Sequence, residues 1–187
     1  MKGDNMLSNT QKLTYSAMLL AIAIISMVFK GGGALMVVFL TGAVVNTCII
    51  IDTVLCGLLY GVILSVITPV AAYFISPNPV HQTVPLVIPC IMAGNAIIAV
   101  CVALIGKRDG SKIRLPLSMI IGSIAKALFM GVVISLIILP NMLPEKMMAN
   151  LATLQFTFSF IQLFAALVGS LYAYSVLRLI SDRMAKD

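Results

Sequence analysis

Apolar residues along this chain fill whole stretches rather than one face of a helix or alternate positions of a strand. Such stretches, about 20 residues long, are what crossing roughly 30 Å of hydrocarbon requires. Short polar or Gly- and Pro-rich breaks divide them, and the pattern predicts six transmembrane helices over residues 13–29, 34–57, 61–75, 86–105, 115–139 and 153–180. The apolar block from Ala34 to Ile75 is too long for one crossing, so Gly57-Leu-Leu-Tyr-Gly61 is read as the turn between two helices. Ser76-Pro-Asn-Pro-Val-His-Gln-Thr-Val-Pro85 is read as a loop, because prolines do not continue a helix. Lys30-Gly-Gly-Gly33, residues 106–114 and residues 140–150 supply the other breaks.

Composition agrees with this pattern. The chain is 61% hydrophobic and 10% charged, with a mean hydropathy of +1.13, and 187 residues cannot hide that much apolar surface inside a water-soluble globule. The expected fold is an all-α integral membrane protein, one six-helix domain over residues 1–187. The first hydrophobic segment is read as a retained helix, since no small-residue cleavage site follows it.

Charge sets the expected orientation. Lys2, Lys12, Lys107, Arg108, Lys112, Arg114, Arg178, Arg183 and Lys186 fall on one side of a six-span arrangement, and Lys30 and Lys146 on the other. The basic side is cytoplasmic by the positive-inside rule, which places both termini there. The same distribution explains the net charge of +6 and argues against nucleic acid as a partner, which would need the charges on one soluble face.

Several chemistries are missing from the sequence. No phosphate-binding loop is present, and Gly31-Gly-Gly33 lacks both the lysine and the preceding strand that such a loop needs, so any use of ATP must come from another subunit. One histidine, His81, and no paired carboxylates or Ser/His/Asp set argue against an enzyme and against a bound metal or cofactor. Cys48, Cys56, Cys90 and Cys101 form no Cys-x-x-Cys pair and are read as small packing residues.

Polar residues inside a membrane are costly and usually face a bundle interior or a water-filled cavity. Counted along each helix at about 1.5 Å per residue, Asn46, Asn95, Lys126 and Gln162 fall near mid-membrane on four different helices. Gln155 precedes Gln162 by two turns and is expected on the same face, nearer the outer mouth, where Thr41 and Thr157 add hydroxyls. Each amide taken singly is explained by helix-to-helix hydrogen bonding; the set converging at one depth around a cation reads as a substrate pocket. His81, with Asn78 and Gln82 beside it, is a candidate ligand contact from the outer loop or simply a solvated residue. Two counter-charges remain open for Lys126: Asp52, nearer the cytoplasmic end of the second helix, or an anionic group on a ligand.

The chain also resembles the substrate-binding S components of energy-coupling factor (ECF) transporters. The resemblance rests on the length and six-span pattern, on Ala17-Met-Leu-Leu-Ala21, on Gly57-Leu-Leu-Tyr-Gly-Val-Ile-Leu-Ser-Val-Ile-Thr-Pro69, and on Gly94-Asn95. Leu58 and Ser65 depart from the proline and glycine usual in the third of these. Phe39-Leu-Thr-Gly-Ala-Val-Val-Asn46 and the run from Phe158 to Gly169 are similar to an uncharacterised branch of the family. The resemblance implies a bacterial cell-membrane protein that captures a vitamin or related micronutrient in its outer half. It further implies docking on a membrane coupling subunit driven by two ATPase subunits, with Ala17 and Ala21 on the docking face. Two rival readings remain at this level: a stand-alone secondary transporter using Asp52 and Lys126 for ion coupling, and a non-transporting membrane scaffold.

Overall fold

The computed structural model describes residues 7–28, 35–76, 78–106 and 113–184. Lys2, Lys30, Lys107, Arg108, Lys112 and Lys186, used above for orientation, lie outside them, as does the Gly31–Gly33 break. Six helices are long and apolar enough to cross a membrane: Asn9–Val28, Leu35–Leu55, Leu58–Ile75, Val87–Gly106, Arg114–Met142 and Leu151–Arg183, called spans one to six below. The described residues contain no β-strand.

Span two is the hub, packing against spans one, three, four and six, while spans three to six close around it through successive neighbours. Its sequence explains the position. Ile49, Ile50, Ile51, Asp52 and Thr53 are consecutive and all buried, so this part of the helix has no solvent- or lipid-facing stripe, while Leu35, Met36 and Leu40 in its first turns are exposed. Span one is peripheral and buries only Ser16, Ala23 and Met27.

Small residues set the closest approaches. A Cβ on Gly169 of span six would lie 2.6 Å from the Ala43 carbonyl oxygen and 2.8 Å from Asn46 Cβ of span two. Thr47 Oγ1 exploits that proximity, donating to Ala43 O at 2.8 Å or Gly169 O at 3.0 Å. Gly169→Ala is therefore expected to destabilise the bundle by about 1–3 kcal/mol, the usual range for overpacking, read as a lower midpoint of thermal unfolding in detergent.

The breaks are more structured than the sequence suggests. The turn after span two is confined to Cys56 and Gly57, whose φ of 109° favours glycine; helix resumes at Leu58, so Gly61 lies within span three, against Thr53. The Ser76–Pro85 loop contains a short helix, Pro79–Thr83. Asn78 caps it, accepting from the Val80 N–H at 2.9 Å, and Pro79 occupies the first turn, where a missing N–H costs nothing. Span five runs past Leu139 to Met142 because Gly131–Ile138 is a π-helix and α-geometry restarts at Leu139. That restart puts Pro140 in a first-turn position.

Candidate functional site

Six crossings return the chain to the end of the bundle where it starts, and the cavity lies towards the opposite end. Its wall combines the early residues of spans two, four and six with the late residues of spans one and three, the short helix Pro79–Thr83, and Lys126 from span five. Its volume is about 110 Å³, below the roughly 300–1,000 Å³ of sites for drug-sized ligands, so it suits a small molecule.

Lys126 is the centre of this arrangement. Its ammonium donates to Asn46 Oδ1 and to Asn95 Oδ1, each at 2.8 Å, and the three residues are 2%, 0% and 3% exposed. Gly94 makes the geometry possible: a Cβ there would sit 3.0 Å from Met130 Cγ and 3.5 Å from Lys126 Cγ. The glycine thus lets span four approach span five closely enough for the following residue, Asn95, to meet the ammonium. Asn46 reaches it from the hub helix but, although expected as a ligand contact, does not itself line the cavity, and its Nδ2 has no hydrogen-bond partner among the described residues.

No ion pair joins Lys126 to Asp52. Asp52 is fully buried elsewhere, accepting on Oδ2 from Ser16 Oγ of span one at 2.9 Å. It fastens the peripheral helix to the hub, while the lysine is held by neutral amides.

The other expected site residues divide. Gln162 lines the cavity, as do Thr41 and Thr157 at the positions anticipated for them. Thr41 Oγ1 donates to Ser26 O of span one at 3.3 Å. His81 is 7% exposed and lines the cavity rather than standing in solvent, its ring 6.5 Å from that of Phe158. Gln82, its neighbour, is exposed. Gln155 does not line the cavity. Its Nε2 donates to Ser135 O at 2.8 Å, and Ser135 Oγ returns a bond to Gln155 O at 3.1 Å. The reason is local: Thr157–Ile161 is a π-helical turn lying between Gln155 and Gln162. A π turn holds an extra residue, and one residue is worth roughly 100° of helix rotation, so two positions seven apart no longer share a face.

Contributions from Met27, Thr68, Pro69, Ala72 and Phe158 were not anticipated as site residues. For two of them a signal exists in the sequence. A Thr-Pro pair inside an apolar span breaks the helix hydrogen-bond ladder, and such irregular backbone is tolerated at membrane depth where it is buried in protein or lines a cavity.

The family model for "ECF transporter, substrate-specific component" matches residues 11–181. The chain belongs to that family. It is accordingly a substrate-binding subunit of a transporter and not an enzyme, and its six apolar helices are those of a multi-pass cell-membrane protein. Comparison with curated proteins and with solved structures returns no match.

Proposed function

We propose that this S component captures a vitamin or related micronutrient from outside the cell in the cavity floored by Lys126, for import driven by ATP hydrolysis on partner subunits. In this reading the termini are cytoplasmic and the cavity opens outward. Lys126, Asn95, Gln162 and His81 contact the nutrient; Asn46 positions the ammonium, and Gln155 fixes span six against span five. The segment from Ser76 to Pro85 is the lid. Ala17 and Ala21 form the face that docks on a coupling membrane subunit, which two ATPases drive.

The observation that carries the proposal is the buried ammonium held by two amide oxygens at the floor of a cavity that is otherwise largely apolar. A scaffold has no need of such a cavity. A secondary carrier coupled through Asp52 and Lys126 is disfavoured because those side chains belong to separate hydrogen-bonded groups. The decisive experiment is identification by mass spectrometry of the small molecule that co-purifies with the chain, followed by uptake in proteoliposomes with and without the coupling module. ATP-dependent uptake that requires the module is expected; uptake by the isolated subunit would sink the proposal. Gln162 makes no side-chain hydrogen bond to another described residue, so its amide is free to serve the nutrient. Gln162→Ala is expected to weaken binding about two- to tenfold, the worth of one neutral hydrogen bond, measurable by calorimetric titration.

A further inference from the structure

Hydrogen bonding within the cavity floor determines what the floor offers a ligand. An ammonium has three N–H donors, and two of those on Lys126 are engaged by Asn46 Oδ1 and Asn95 Oδ1. One N–H remains. The same bonds fix the sense of the Asn95 amide: with Oδ1 turned to Lys126, Nδ2 is the group left over, and it makes no hydrogen bond to another described residue. Asn46 Nδ2 is unpartnered too, but Asn46 does not line the cavity, whereas Asn95 and Lys126 do; the floor therefore presents two donors, one of them charged.

No carboxylate lines the cavity among the described residues, and Lys126 is the only lysine or arginine that does. A cationic ligand would face an ammonium with no counter-charge. A phosphate ester would bring up to two negative charges and three acceptor oxygens against a floor with one positive charge and two donors in all. A carboxylate matches on both counts, with a single charge and two oxygens able to accept side by side. Beyond the floor the wall is mostly apolar, through Val45, Ile88, Ile91 and Phe158, with His81 and Gln162 set among them.

We infer that the ligand is a small carboxylic acid, bound as its monoanion with the carboxylate on Lys126 Nζ and Asn95 Nδ2 and an apolar ring or chain directed towards the mouth. This rests on the binding-subunit reading above and specifies the substrate class it takes. The test uses the purified full chain in detergent and acids paired with their own primary amides: benzoate with benzamide, cyclohexanecarboxylate with its amide, octanoate with octanamide. Benzylamine and phenyl phosphate serve as cationic and phosphate arms. Thermal stabilisation is read across concentration. At least one acid is expected to stabilise the protein at a concentration at least tenfold below that needed for its amide, and Lys126→Met is expected to erase the difference. Equal response to acid and amide, or preference for benzylamine or phenyl phosphate, overturns the carboxylate assignment while leaving a binding subunit. Silence in all acid arms also overturns it; the binding-subunit reading is then judged separately by the co-purifying molecule and by uptake. An acid preference without module-dependent uptake would keep the ligand class and remove the transport reading.

Discussion

Lys126→Met is expected to leave a folded protein that no longer responds to its nutrient. Placing an ammonium at mid-membrane costs roughly 2.5–3.5 kcal/mol on insertion scales, and hydrogen bonds involving a charged group return about 1.5–3 kcal/mol each. With two such bonds in place, the ligand-free protein gains little net from the lysine. Methionine removes the desolvated charge and leaves two amide oxygens without their donor, effects of opposite sign. The unfolding midpoint of the ligand-free variant should therefore shift only modestly. Binding is different. Removing one partner of a buried, hydrogen-bonded charge pair costs about 2–5 kcal/mol, which is at least roughly thirtyfold in affinity. Ligand-induced stabilisation and calorimetric titration, measured side by side on wild type and variant, separate the two effects. If the variant unfolds in the absence of ligand, or binds the nutrient as tightly as wild type, Lys126 belongs to the scaffold and not to the site.

The lysine and its two asparagines are legible in the sequence because depth in a membrane is a one-dimensional quantity. Counting residues from the ends of apolar runs places Asn46, Asn95 and Lys126 at one level, and the hydrogen bonds join them there. Rotation about each helix axis is less legible. Gln155 and Gln162 share a face only if α-geometry continues between them, and the turn over Thr157–Ile161 does not continue it. Nothing in Thr-Phe-Ser-Phe-Ile marks a π turn by composition. The stabilising contacts come from span five, where Ser135 exchanges hydrogen bonds with Gln155.

Burial of His81 is hidden for a related reason. Prolines at 77, 79 and 85 argue for an irregular loop, yet a proline in the first turn of a helix is compatible with it, and Asn78 supplies the cap. The resulting helical turn buries both Val80 and His81, with Val80 packed among Val84, Val87, Met130 and Phe158. Asp52 illustrates a third limit. A carboxylate and a lysine in one membrane domain invite pairing, but the partner chosen is Ser16, thirty-six residues away on span one, and no spacing rule connects the two.

Tryptophan at Ala17 or Ala21 is expected to abolish assembly with the coupling subunit while sparing nutrient binding. Both alanines are exposed on span one, the least buried of the six spans at 11%, and their spacing of four places them on one helical face. The inward-facing residues of that helix, Ser16, Ala23 and Met27, are already engaged by the bundle; the alanine face is not. In a membrane, helices associate without a hydrophobic driving force, through van der Waals packing that small residues permit by letting backbones approach. An indole holds the helices apart and forfeits that packing along the whole contact. Ile120→Trp is the control, a similarly bulky substitution at a 46% exposed position on span five. The expected result is loss of co-purification with the coupling module for Ala17→Trp and Ala21→Trp, its retention for Ile120→Trp, and the same ligand-induced stabilisation for all three. Span one also reaches the binding cavity through Met27 and through the Thr41–Ser26 hydrogen bond, so any change in ligand affinity on docking has a short physical path. Retention of the complex by both alanine variants would show that the docking face lies on another helix.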